Sequence, residues 1–379
     1  NIAIGNDAMN GAATTGDNNI AIGVSAGDAL TSAYQNVLIG RNAGGSINTG
    51  DYNTAVGDNA LKSATNGQYN VAIGLNAGDV TTTGDRLTLI GTAAGRGAID
   101  NDGQGTVAVG YAAYNAGTSG IGNTAVGYEA LSAEDDGDKS TAIGYQALTD
   151  QTGTTGTVGN TAIGYQAGQS VLTGVRNTYI GAAAGNKGSG SAADDNTAIG
   201  FRSLRVNTSG SRNTSLGAYS VQQMVNARDT VAIGYYTLAN ALTSTDIDGS
   251  VAIGSFSQAE NKTGIGNTSV GYQSLSVLVG GDGNTAMGYN SGLFLTAGSN
   301  STFIGNLAGQ GITGAKLTGN SNTAIGQKAG LLLQGGADGN TLVGRKSADS
   351  LTTGTNNVVV GSGALTSAAT ATNQIVIGQ

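Results

Sequence analysis

The chain has 379 residues, of which 66 are glycine and none is proline, cysteine, histidine or tryptophan. Lacking histidine and cysteine, it has no Ser-His-Asp triad, no disulfide and no zinc or haem site of the usual kinds. A net charge of −8 with only 11% charged residues leaves no basic stripe for nucleic acid.

The glycine excess points to collagen, disorder or a tightly turned repeat. Absent proline and the lack of a Gly-X-Y period remove collagen, and a hydrophobic content of 39% argues against disorder. No stretch approaches the ~20 apolar residues of a membrane helix.

The first element is Asn1-Ile2-Ala3-Ile4-Gly5, and it recurs to the end of the chain. There are 22 such starts, from residue 1 to residue 374, and 14 of the 21 intervals are 17 residues long. The chain is therefore read as one repeat domain over 1–379, opening directly on a repeat and expected to be part of a longer fibre. Numbering from each start, position 5 is glycine in all 22 repeats, among them Gly5, Gly127, Gly164 and Gly288. Position 4 is always aliphatic, as at Ile143 and Ile163, and position 2 is Thr, Val or Ile. Position 1 is Asn in 15 repeats, including Asn123 and Asn160. Position 8 is Ala or Ser in all complete repeats but one, which has Thr237.

Positions 2 to 4 predict a short strand, with positions 2 and 4 on one face. Position 4, never polar, is expected on the core side. The adjoining glycine ends the strand, and the small residue at position 8 marks the inside of a second corner. A 17-residue unit buries no core alone, but stacked units do. The prediction is an all-β parallel β-solenoid, about 100 Å long at ~4.8 Å per coil. Stacked Asn residues at position 1 would exchange amide hydrogen bonds along it. Repeats starting at 87, 140, 177, 230 and 301 carry extra residues in their second half, expected as surface loops where specificity sits.

The repeats at 123–131 (Asn-Thr-Ala-Val-Gly-Tyr-Glu-Ala-Leu) and 160–168 (Asn-Thr-Ala-Ile-Gly-Tyr-Gln-Ala-Gly) resemble the head repeats of YadA-like trimeric autotransporter adhesins. Similar repeats occur in phage tail-fibre proteins. The resemblance covers the whole chain, although the repeat here is longer than the usual head repeat. It implies a left-handed β-roll, three identical chains packed side by side, and a place outside the cell on a bacterial surface or a virion. The partner there would be a host receptor, glycan or matrix.

Apolar triplets Leu293-Phe294-Leu295 and Leu331-Leu332-Leu333 point to both faces of a strand, so one face is expected to need a cover from another chain. The alternative is a loop folded over its own surface.

Eight repeats place Asp two residues before the next start, from Asp17 to Asp338, never in adjacent coils. Turn chemistry explains them better than a calcium ladder. Calcium at a loop such as Glu134-Asp135-Asp136 stays open, and no other cofactor is expected. With only three glutamates and no carboxylate–aromatic groove, the chain is not read as an enzyme. Tyrosines at position 6, from Tyr111 to Tyr289, form either a ladder over the strand end or a sugar platform, the ladder being preferred. Ice binding would need two outward Thr columns, and the residue paired with Thr at position 2 is always aliphatic. The function these observations imply is a structural and adhesive rod of an extracellular fibre, with a self-assembling filament as the alternative.

Overall fold

The computed structural model describes residues 1–11, 14–100, 104–153, 156–187, 193–240, 247–365 and 367–378. It is an all-β parallel β-solenoid of repeats about 17 residues long, with no helix among the described residues. The chain divides into two compact units, Asn1–Ala192 and Ala193–Gln379.

Each unit carries eleven three-residue strands at positions 2 to 4 of its repeats, from Ile2–Ile4 to Thr178–Ile180 in the first and from Thr197–Ile199 to Ile375–Ile377 in the second. Within each unit consecutive strands pair in parallel without slippage. Thr141, Ala142 and Ile143 lie against Thr161, Ala162 and Ile163; in the second unit Thr285, Ala286 and Met287 lie against Thr302, Phe303 and Ile304. The backbone thereby hands its hydrogen bonds from coil to coil, as in Thr141 N–H to Asn160 O at 2.7 Å.

The strand stops where position 5 turns. Gly127 has φ of +137°, and a Cβ there would collide with the carbonyl oxygen of Gly144 in the next coil. Both the dihedral and the space demand glycine. Gly5, Gly164 and Gly288 repeat this geometry.

Beyond the glycine the chain alternates between right- and left-handed backbone. Glu129 (φ 51°), Leu131 (φ 52°) and Lys139 (φ 59°) are left-handed in a single coil, and none is glycine. Such residues cost roughly 1–2 kcal/mol each in isolation. Here the alternation aims successive N–H groups up and down the stack: Glu129 N–H reaches back to Tyr111 O and Leu131 N–H forward to Ala147 O, each at 2.9 Å. Hydrogen bonds to both neighbouring coils offset the strain.

The expected facing of the strand is reversed. The middle residue, position 3, points inward; Ala142 and Ala162 are fully buried, whereas Ile143 and Ile163 are each 38% exposed. Positions 2 and 4 share a face as expected, but it is the outer one. The strand sends one side chain inward, and position 3 shares the interior with the small residue at position 8: Ala142 and Ala147 are both fully buried, and Ser203 at position 8 meets Ser215 at position 3 of the next coil, Oγ to Oγ at 2.7 Å.

In most repeats the remaining interior is filled chiefly from position 9 or from position 3. Where position 3 is Ala, position 9 is often large and buried, as in Leu61, Leu131 and Leu148. At three repeats where position 3 is large, position 9 is glycine in that coil and the one before, whereas Leu342 has Gly330 in the coil before and Ala348 in its own. Leu38 goes with Gly27 and Gly44, Leu89 with Gly78 and Gly95, and Phe303 with Gly292 and Gly309.

Of the expected surface loops, the one in the repeat starting at 301 forms a tight antiparallel bridge between Ile312 and Ala315. The other four include the segments 101–103, 154–155, 188–192 and 241–246, outside the described residues.

Candidate functional site

The outward strand face is a regular surface in each unit. It has two columns, Thr, Val or Ile at position 2 and an aliphatic residue at position 4, and neither column carries a charge in any repeat. Isoleucines such as Ile73, Ile143, Ile163 and Ile233 leave more than a third of their surface outside. An isolated soluble sheet normally mixes polar and charged residues into its solvent face.

An aromatic border runs along the position-6 edge of this face. In the first unit Tyr111, Tyr128, Tyr145 and Tyr165 form a parallel stack, with centroids 5.1, 5.0 and 5.4 Å apart and ring planes within 13°. One coil of rise sets that spacing, so each tyrosine lands on the next. Beside them runs a polar row at position 7: Gln146 Nε2 donates to Glu129 Oε2 at 2.8 Å, and Gln166 Nε2 to Gln146 Oε1 at 3.0 Å. The Glu129 carboxylate raises the Tyr128 phenol above its ordinary value. A second stack, Tyr52 on Tyr69 at 4.8 Å, lies just before the strands.

The second unit has a broader band. Tyr219, Tyr236 and Phe256 succeed one another at position 7, while Tyr235 stands almost perpendicular to Tyr219 and Phe256. Tyr272 and Tyr289 resume the parallel stack at 5.5 Å. The tyrosines of the parallel stacks cover one another's faces, as the ladder reading expects, and present mainly edges outward. That suits the border of a surface better than a platform for sugar rings.

The apolar triplets lie elsewhere. Leu293, Leu295 and Leu333 are buried in their own unit's core, and Phe294, Leu331 and Leu332 are half-buried. The long loop of the next repeat returns over Phe294: Phe294 N–H donates to Gln310 O and Leu317 N–H to Phe294 O. The first triplet is thus covered in part by its own chain, while Leu331 and Leu332 keep part of their surface outside. A longer apolar column stands at position 4, beside the Thr, Val or Ile of position 2.

Polar columns hold the coil itself. Buried Asn123 donates from Nδ2 to Gly137 O at 2.7 Å, closing its own coil, while Oδ1 accepts the N–H of Ser140 in the next at 2.9 Å. Asn160 does the same with Gly174 O and Asn177 N–H. The expected side-chain ladder is present at pairs such as Asn19–Asn36 and Asn340–Asn357. The recurrent Asp is structural too. Asp51, Asp85, Asp138 and Asp282 accept the N–H of the equivalent residue one coil earlier, at 2.9, 2.7, 2.8 and 2.9 Å.

The acidic loop at 134–136 does not gather its carboxylates. Glu134 turns into the coil, accepting from Gly137 N–H at 2.7 Å and from Gln151 Nε2 at 2.5 Å. Burial pushes its carboxyl up. Asp136 turns to the Thr118 and Ser119 hydroxyls, which hold it below the usual carboxylate range. Among the described residues no group of three His, Cys, Asp or Glu side chains is placed to hold a metal, and no helix is long and apolar enough to cross a membrane.

No protein-family model and no curated protein matches the chain.

Proposed function

We propose that this chain is a structural and adhesive element of an extracellular fibre, in which identical chains, three to a shaft, pack through their outward strand faces. One observation carries the reading: columns 2 and 4 are free of charge throughout, yet stand outside the chain's own core. Covering an isoleucine fully stabilises by about 1.5–3 kcal/mol relative to exposure, so a column of partly exposed ones is a large reserve for association. The tyrosine stacks then lie along the rim. Specificity for a receptor, glycan or matrix falls to the loops, and repetition supplies avidity.

Sedimentation equilibrium tests this. The expected species is a trimer, and Ile143→Lys with Ile163→Lys shifts it toward monomer with the circular dichroism of the fold retained. A wild-type chain that stays monomeric across the concentration range overturns the self-association reading. Endless filaments in low-resolution images, in place of particles of fixed length, support the filament alternative instead.

A further inference from the structure

The stacked tyrosines form an array that neither core packing nor the charge-free strand face requires. Tyr111, Tyr128, Tyr145 and Tyr165 are 41–54% exposed, so their rings are open to small oxidants. Each is held face to face with the next, on coils whose strands are locked in register. Tyr52 and Tyr69 repeat the arrangement at 4.8 Å with planes 5° apart. The chain has 14 tyrosines and no cysteine, so a disulfide cannot join its coils, but a bond between phenols can.

We propose that these stacks are sites of oxidative tyrosine–tyrosine cross-linking, which staples successive coils of one chain. The co-reactants are hydrogen peroxide and a one-electron oxidant of the haem peroxidase class. Each of two neighbouring phenols gives up one electron and its hydroxyl proton and becomes a phenoxyl radical. The radicals combine through ring carbons ortho to oxygen, forming one carbon–carbon bond. The two ortho hydrogens then shift to the oxygens, restoring both phenols. Two electrons and two protons leave the protein and convert one peroxide to two waters. Holding the partners about one coil apart turns a bimolecular encounter into an intramolecular one, and stacking selects which pair joins.

The experiment treats dilute, folded full-length chain, mixed from isotopically light and heavy preparations, with peroxidase and peroxide. Cross-linked peptides are mapped by mass spectrometry. The expected products are light–light and heavy–heavy only, lack two hydrogens per bond, and join Tyr128 to Tyr145, its stacked neighbours, and Tyr52 to Tyr69. They should exceed joins between unstacked tyrosines by about tenfold, and that preference should vanish in urea. Replacing Tyr111, Tyr128, Tyr145 and Tyr165 by Phe keeps the rings and removes those products while leaving the Tyr52–Tyr69 one. Mixed light–heavy products alone, a urea-insensitive pattern, or no dityrosine overturns the proposal. Sedimentation of the same sample reports self-association separately, so a failure of one reading is not mistaken for a failure of the other.

Discussion

Asn123 joins the start of a coil to its end and to the next coil, with a single buried amide. Replacing it with alanine leaves Gly137 O and Ser140 N–H without that partner inside the protein, at a cost of about 1–3 kcal/mol for each group left unpaired. Because a solenoid opens locally, the loss should appear as faster amide hydrogen exchange at Ser140 and in the coils on either side, with distant coils unchanged. Glu134 offers a pH-dependent counterpart. The groups facing it are Gln151, Gly137 N–H, Asp135 and, through their charge interactions, Tyr114 and the acidic residues of that loop. Its carboxyl is raised in the folded chain, so the stability it contributes is present below the ordinary carboxylate range and fades as pH rises through the raised value. Glu134→Gln, which resembles the protonated acid, should raise the thermal midpoint at neutral pH and change it little at pH 4. An equal shift at both pH values would contradict burial as the cause.

At the scale of the element, the instructive residues are those at positions 3 and 9. Phe303 occupies space vacated by Gly292 and Gly309, and a Cβ on either glycine would run into its ring. Phe303→Ala should destabilise by about 3–5 kcal/mol through the cavity it leaves. Adding Leu at 292 and 309 to that variant should recover part of the loss, whereas Gly309→Leu alone should destabilise, as denaturant titration of the three proteins can show. Nothing in this exchange was hidden: Leu38, Leu89 and Phe303 with their paired glycines stand in the sequence, and only the columns had to be read against each other. Strand positions, the terminating glycine, the small corner at position 8 and the solenoid itself were legible in the same way. The facing of the strand was not. Period-two alternation tells which residues share a face, but not which face is inside, and invariant aliphatics at position 4 suggested a core. Thirteen threonines at position 2, sharing that face, and alanine between them were the better clue. Left-handed backbone at Leu131 or Tyr114 had no residue-type signal, because it follows from cross-coil hydrogen bonding and not from local preference.

For the molecule as a whole, charge is unevenly shared. The first unit has 7 basic and 15 acidic residues, 7 − 15 = −8, and the second has 9 of each, so the entire net charge belongs to residues 1–192. Parallel chains would bring like-charged first units together. Self-association should therefore tighten as salt rises from about 0.05 to 0.5 M, where screening shortens to a few ångströms. Sedimentation at both salts checks it, and weaker association at high salt would argue against a parallel arrangement.

The exchange of volume between positions 3 and 9 also bears on how such a chain can be inherited. Repeats with alanine at position 3 and leucine at position 9, such as those carrying Leu61, Leu131 and Leu148, have equivalent interiors, so unequal crossing-over can insert or delete one of them and leave its neighbours satisfied. A repeat carrying Leu38, Leu89 or Phe303 has a claim on the glycine of the repeat before it. Those repeats can be copied or lost only together with the repeat before them, so the length of this protein can change by one repeat in some stretches and by two in others.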